Sequence, residues 1–285
     1  MCGRYVVVSK VEKIEKVFRL AKPAQMNLFA PNYNLSVGNP APIITSEHPN
    51  ELSIGQFGLT PSWAKKRMYL FNARSEGDSN KDDDPQYTGG KGIINKPSFR
   101  SSIRKQRCLV VADCFYEGSK KEGLSKPYLI YLKDRRPFAF AGLWDKWVDT
   151  ETGEIVLSFS IITTVANELL QDIGHHRSPV ILRPEDESVW LNESSSLGAV
   201  TALLEPYPST LMNAYPVSAA VKSPKNNGRE LVEPEGQRIS PEYEYKIVQE
   251  LKLEGMGANK TNEPVSEEER LKRAEEQKRK GLFPE

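Results

Sequence analysis

Cys2 is the second residue of the chain, and loss of Met1 would leave its α-amine and thiol two carbons apart. Such a 1,2-aminothiol condenses with an aldehyde to an imine and then closes a five-membered thiazolidine by thiol addition. An amine pKa near ~8 and a thiol pKa near ~8.5 leave usable neutral amine at pH 7. By position alone an incidental second residue is the simpler reading, because one cysteine says little without partners. Four other places carry groups that could serve it. In Asn72-Ala73-Arg74-Ser75-Glu76, Arg74 could clamp a phosphate, or pair locally with Glu76 in a surface turn. Phe115-Tyr116-Glu117-Gly118 follows the apolar run Cys108 to Ala112, which sets Glu117 at a strand end beside aromatic rings. Partial burial there would raise its pKa and let it shuttle protons; an exposed or salt-bridged glutamate is equally compatible. His175-His176 is the one histidine pair, and a single imidazole carrying protons fits better than zinc. Adjacent histidines point differently, and Cys108 and Cys114 form no Cys-x-x-Cys pair, so no metal and no organic cofactor are expected. Trp63 lies beside Lys65, Lys66 and Arg67, an aromatic and basic mixture that stacks on unpaired bases while holding phosphates, with core packing as its rival.

These groups need a scaffold. The 285 residues, 38% apolar and 27% charged, suit a globular protein with a sizeable core. No run approaches a membrane span and no charged-then-apolar leader precedes Tyr5-Val6-Val7-Val8, so the expectation is a cytoplasmic chain with reduced thiols. A net charge of +1 conceals two stretches without acids, Leu52 to Ser75 and Lys91 to Ala112. The second holds Lys96, Arg100, Arg104 and Arg107, either a phosphate-binding surface or ordinary solvated loops. Ser9-Lys10-Val11-Glu12 reads as a capping box ahead of a short amphipathic helix. Residues 30 to 40 read as irregular chain, and Pro42 to Thr45 and Leu52 to Phe57 as strands. Residues 76 to 92 read as an exposed loop, and Cys108 to Ala112, Tyr128 to Leu132, Phe138 to Leu143 and Ile155 to Thr163 as sheet. Asp149 to Gly153 suits a hairpin turn, Ala166 to Ile173 a short helix, and Pro184-Glu185-Asp186 a helix start. Strands followed by scattered helices predict an α+β fold. Composition divides the chain into a body over 1–235, a docked helix over 236–255 and a charged tail over 256–285.

Taken in order, these pieces resemble the SRAP, or SOS-response-associated peptidase, family from Met1 to about residue 232. The carriers are Met1-Cys2-Gly3-Arg4, Tyr33-Asn34, Phe57-Gly58-Leu59-Thr60-Pro61-Ser62-Trp63, Asn72-Ala73-Arg74-Ser75-Glu76, Lys96-Pro97-Ser98-Phe99-Arg100, Arg107-Cys108-Leu109, Phe115-Tyr116-Glu117, Ala141-Gly142-Leu143-Trp144, Ile161-Ile162-Thr163-Thr164 and His175-His176-Arg177. The resemblance implies a single domain with a mixed, strongly curved sheet or barrel-like core and flanking short helices. It further implies that Cys2 captures the ring-opened aldehyde of an abasic site in single-stranded DNA. Asn72 would orient the sugar or the cysteine, Glu117 would move protons, and His175 would support opening of the sugar ring and reversal of the crosslink. Arg74 would bind phosphate, with Arg4, Trp63, Lys96, Arg100 and Arg104 as further DNA contacts and the protein a monomer. A thiol peptidase and a non-catalytic single-stranded DNA-binding module are the alternatives. The chain departs from the family pattern at Gly118, where a tryptophan is usual, at Ser178, where a methionine is usual, and over Asn34-Leu35-Ser36-Val37-Gly38. These departures bear on DNA contacts more than on chemistry.

Overall fold

The computed structural model describes residues 3–21 and 29–242. In chain order the elements are β1 (Arg4–Val7), α1 (Val11–Phe18), β2 (Asn32–Ser36), β3 (Pro40–Thr45), β4 (Ser53–Phe57), β5 (Asn72–Arg74), α2 (Ser102–Lys105), β6 (Arg107–Ala112), β7 (Cys114–Glu117) and β8 (Tyr128–Leu132). They continue with β9 (Phe138–Val148), β10 (Ile155–Val165), α3 (Glu168–Asp172), β11 (Arg177–Pro179), α4 (Glu187–Leu191), α5 (Leu197–Ala202) and β12 (Met212–Pro216). The fold is α+β, as strands followed by scattered helices predicted. β3, β4, β10, β9 and β6 pair in a closed circuit, a barrel-like core, because β9 bonds both β10 and β6. β5 and β11 pair with the second half of β10. A second sheet runs in the order β12-β8-β7-β1-β2.

The second sheet is covered on both faces, which explains the unbroken apolar run of β1. Strand side chains alternate between faces. Tyr5 and Val7 point into the barrel-side core with Phe115 and Phe140, while Val6 packs on the other face with Cys114, Tyr116, Leu129, Tyr131 and Tyr215. Edge-to-face ring pairs lock the sheet onto the barrel: Tyr5 to Phe57 at 5.5 Å, Tyr5 to Phe140 at 5.8 Å and Phe115 to Phe140 at 5.6 Å. Such pairs contribute about 0.5–1.5 kcal/mol each beyond the area they bury. The same alternation carries Glu117, two residues after Phe115, back onto the barrel side, where it is buried.

Several local expectations change. Ser9 does not cap α1; its hydroxyl and amide bond the Asp113 carboxylate, and Lys10 occupies the cap position with no side-chain bond. Residues expected to be irregular include β2, whose antiparallel pairing with β1 supplies the order that local sequence lacks. Residues 76–92 are a loop, but Glu76 and Asn80 within it are buried. The turn at Asp149 to Gly153 forms as expected, with Gly153 N–H bonded to Asp149 O and a φ of 75°. Residues 236–242 are irregular rather than helical and are pinned to the body: Ile239 N–H donates to Ala214 O, and the Tyr131 hydroxyl to Glu242 Oε1. The rest of the expected docked helix, and the charged tail, lie outside the described residues. Among those residues no helix is long and apolar enough to cross a membrane.

Candidate active site

The end of β7 meets the turn before β11. Gly174, at a φ of 75°, lets the chain reverse between α3 and β11 and delivers His175 against β7. His175 Nδ1 lies 2.7 Å from Gly118 O, and since a carbonyl only accepts, Nδ1 carries the proton. The other ring nitrogen, Nε2, lies 3.4 Å from Glu117 Oε2. Both side chains are buried. Burial pushes the Glu117 carboxyl from 4.5 up to about 7 and the His175 imidazole from 6.5 down to about 3. At neutral pH His175 is therefore a neutral ring whose Nε2 faces the Glu117 carboxyl. Glu117 stands near half-protonated, able to give a proton to Nε2 or take one back. The arrangement is a buried neutral acid beside a neutral base, not an ion pair, and the carboxyl is the group that can exchange a proton near neutral pH.

Gly118 is part of this geometry. A Cβ there would lie 2.0 Å from Gly123 O and 2.7 Å from Gly123 C, so the short helical turn at Gly123–Ser125 packs where any side chain would begin.

On the neighbouring strand, Asn72 and Arg74 share one face of β5, with Ala73 between them turned into the core. Parallel pairing with β10 sets Asn72 beside Ile161 and Arg74 beside Thr163, while antiparallel pairing sets Arg177 beside Val165. The last turn of β10 therefore gathers Arg74 from one flank and Arg177 from the other. Glu76 does not pair with Arg74 as the local reading allowed. It takes the Arg177 guanidinium in a two-pronged bond, Nη1 to Oε1 at 3.1 Å and Nη2 to Oε2 at 2.8 Å, with Thr163 Oγ1 accepting from Nη2 at 3.2 Å. Both residues are buried, and the planar fork is the geometry arginine offers a carboxylate. Arg74 instead reaches Asp83, 2.8 Å from its Nη2. The His176 ring, 4.9 Å from that of His175, also turns to Asp83, so the adjacent histidines diverge as expected.

The remaining expected contacts spread around this centre. Trp63 is 60% exposed, which removes the core reading. A tight turn holds it outward: Ser62 N–H bonds Asp145 Oδ2, Ala64 N–H bonds Pro61 O, and the Trp147 indole donates to Ala64 O. Tyr69, which the sequence reading passed over, is also half exposed, and Arg67 lies 5.5 Å over its ring. Lys96 pairs with Asp78 at 2.7 Å, Arg104 donates to Ile94 O, and Arg100 is exposed. Arg4 is partly buried and donates to Lys222 O at 3.3 Å. Arg107 is a correction: it is wholly buried, donating to Ile103, Trp190 and Asn192 carbonyls, and ties α2 and α4 to β6 instead of facing a polyanion.

Cys2 lies outside the described residues. Of the chain's three cysteines, the other two, Cys108 and Cys114, are fully buried, and burial pushes both thiols well above their usual range. Neither can serve as a thiolate nucleophile. β1 pairs with β7 at Tyr5–Phe115 and Val6–Cys114, so the same register continued sets Gly3 level with Glu117.

The family model for the SOS response associated peptidase (SRAP) matches residues 1–224. The chain belongs to this family. Among its similar members, the abasic site processing protein YoqW of Bacillus subtilis (strain 168) is 38% identical over 239 residues, covering 82% of this chain and 99% of that protein. The abasic site processing protein YedK of Escherichia coli (strain K12) is 28% identical over 243 residues, covering 82% and 100%. A solved structure of a Bacteroides thetaiotaomicron protein superposes with a TM-score of 0.69 at 30% identity, over 82% of this chain and 99% of that one. This SRAP chain thus carries its family's body nearly whole, with its last sixty or so residues beyond the family match.

Proposed function

We propose that this SRAP protein processes abasic sites in single-stranded DNA by covalent capture on Cys2. The observation that carries the reading is the buried Glu117–His175 pair at the end of β7, the strand that pairs with β1. Similarity to proteins named for abasic site processing supports the substrate. Removal of Met1 exposes the amine. Glu117 and His175 pass the protons that open the sugar hemiacetal to its aldehyde. The Cys2 amine adds to the aldehyde carbon and expels water, giving an imine. The Cys2 thiol then adds across the C=N bond, its proton going to nitrogen, and closes the thiazolidine. One water leaves and no oxidant or metal is needed. Asn72 orients the sugar or the cysteine, and Arg74 takes a flanking phosphate. Trp63 stacks on an unpaired base, and Arg4, Lys96, Arg100 and Arg104 extend the contact along the strand. The imine also allows strand cleavage by β-elimination as a minor lyase activity. The peptidase activity in the family's name is then self-removal of Met1.

The test is intact mass of the purified protein before and after incubation with a single-stranded oligonucleotide bearing one abasic site, alongside Cys2→Ala. An adduct equal to the sum of both less one water, formed only by chains lacking Met1 and retaining Cys2, is the expected result. Absence of an adduct from correctly processed protein would refute covalent capture.

A further inference from the structure

Asp82-Asp83-Asp84 sits at the tip of the loop between β5 and α2. Asp82 and Asp84 are exposed, whereas the Asp83 side chain is turned inward and only 12% exposed. Four basic groups from separate parts of the fold converge on its carboxylate: Arg74 Nη2 at 2.8 Å, His176 Nε2 at 3.7 Å, Arg177 Nη1 at 3.7 Å and Lys120 Nζ at 3.8 Å. The loop is folded to make this possible. Asn80, buried beneath the tip, accepts from Asp84 N–H at its Oδ1, donates to Asp84 O, and offers its own carbonyl to Asp83 N–H and to Arg74. Asp83 is held at a φ of 57°, a left-handed conformation that a residue with a side chain enters at a cost.

The carboxylate and its donors are poorly matched: Asp83 Oδ1 is in charge contact with Arg74 but lacks an aligned hydrogen bond among the described residues. Arg74 Nε, Arg177 Nε and His176 Nδ1 are buried with no hydrogen-bond acceptor among the described residues. Arg177 is already neutralised by Glu76, which leaves Arg74 and Lys120 as the two cations that face Asp83 without another buried acid. A phosphodiester carries the same single negative charge as a carboxylate, with additional bridging oxygens and a tetrahedral reach to spread over diverging donors. The seat lies beside the Glu117–His175 pair through the adjoining His175 and His176 rings.

We propose that Asp83 occupies the seat of a DNA phosphodiester next to the captured sugar, formed by Arg74, Lys120 and His176, and that the loop tip withdraws when a strand enters. Asp83 is a built-in competitor that charges every polyanion the same toll before it reaches that pair. The inference rests on the single-stranded DNA reading above and adds to it the two further phosphate ligands and the gate.

The experiment uses the full chain with Cys2→Ala, so that binding is read without crosslinking, and a single-stranded oligonucleotide with a reduced, unreactive abasic site. Asp83→Asn keeps the shape and tolerates the left-handed backbone. It is expected to tighten binding by about tenfold or more at low salt, since a like charge no longer opposes the phosphate. The double control Asp82→Asn/Asp84→Asn, which alters only exposed charge, is expected to move affinity much less. Adding Lys120→Ala to Asp83→Asn should return part of the gain. A second readout needs no substitution at Asp83: hydrogen exchange of residues 78–91 should quicken when the oligonucleotide binds, opposite to the usual protection by a ligand. Weaker binding by Asp83→Asn, or exchange that slows or stays unchanged, would overturn the gate and make Asp83 a positioning residue for Arg74. Crosslinking by the native chain together with either of those results removes this inference alone; a native chain that neither binds nor crosslinks removes the functional reading and this inference with it.

Discussion

Replacing Glu117 by glutamine should make the protein more stable at alkaline pH while slowing its chemistry. The carboxyl stands at about 7 in the folded protein against 4.5 ordinarily, because burial penalises the charged form. That difference corresponds to about 3 kcal/mol between the two protonation states. The folded pKa is raised, so protonated Glu117 contributes stability that is complete below pH 4.5 and is lost as the pH rises through 7. His175 works in the opposite sense: burial lowers it from 6.5 to about 3, so its contribution is complete above pH 6.5 and lost as the pH falls towards 3. In the native protein the two slopes largely cancel between pH 4.5 and 6.5, and neither shows in a single curve. The comparison of native and Glu117→Gln proteins at each pH cancels His175 and isolates the carboxyl. Urea unfolding from pH 4.5 to 8.5 should show the glutamine variant gaining about 3 kcal/mol relative to the native chain. Glutamine cannot exchange a proton with Nε2, so the same variant should crosslink about a hundredfold or more slowly at pH 7. A stability difference that stays flat across this range would refute the buried, protonated carboxyl and with it the proposed proton transfer.

Three further outcomes follow from separate parts of the site. Trp63→Ala should leave stability within about 0.5 kcal/mol, because the ring is 60% exposed, yet weaken single-stranded DNA binding by about 1–3 kcal/mol in fluorescence anisotropy. Glu76→Ala strands the buried Arg177 guanidinium and should cost about 3–5 kcal/mol in urea unfolding, whereas Asp78→Ala, an exposed partner of Lys96, should leave the unfolding midpoint nearly unchanged. Gly118→Ala should destabilise by about 1–3 kcal/mol, since its Cβ would meet Gly123 O at 2.0 Å, and should also slow crosslinking by shifting the carbonyl that fixes the His175 tautomer.

What the sequence made legible was largely the local part. Tyr128–Leu132 and the cores of β6, β9 and β10 read directly, since β-branched and aromatic runs between turn signals leave few alternatives. β2 did not, because Asn32-Tyr33-Asn34 has poor strand propensity and becomes a strand through its pairing with β1. The capping box failed for the same kind of reason: Asp113, more than a hundred residues away, outcompetes the local bond at Ser9. At the site, individual residues were legible and their partners were not. Glu117 was recognisable beside aromatic residues, but its 3.4 Å approach to His175 depends on two elements separated by most of the barrel in sequence. Arg107 misled because a basic stretch says nothing of which cations turn inward, and this one spends its donors on carbonyls of α4 and its surroundings. The Arg177–Glu76 fork and the convergence on Asp83 had no sequence signal beyond residue type.

Covalent capture on Cys2, as proposed above, would draw on the anchoring of β1. A terminus is ordinarily the least ordered part of a domain unless something ties it down. Here β1 is an interior strand, bonded to β7 on one side and β2 on the other, and its Tyr5 ring is wedged among Phe57 and Phe140 of the barrel. Arg4 is paired with Ser36 of β2, the next two residues with β7, and only Gly3 separates Arg4 from Cys2. Each Cα step spans about 3.8 Å, and the proposed nucleophile is two such steps from Arg4 along the chain. In the proposed capture, an amine and thiol tethered so close to an anchored strand would act at an effective concentration far above any free aminothiol, most of all with the proton-transfer groups held equally firmly. Glu117 meets that condition through the same pairing, since β7 is the strand that anchors β1. Loosening β1 at Tyr5 should therefore slow crosslinking even with Cys2, Glu117 and His175 intact: Tyr5→Ala removes the wedge, and a rate that did not fall in the surviving folded fraction would show that anchoring contributes nothing to capture.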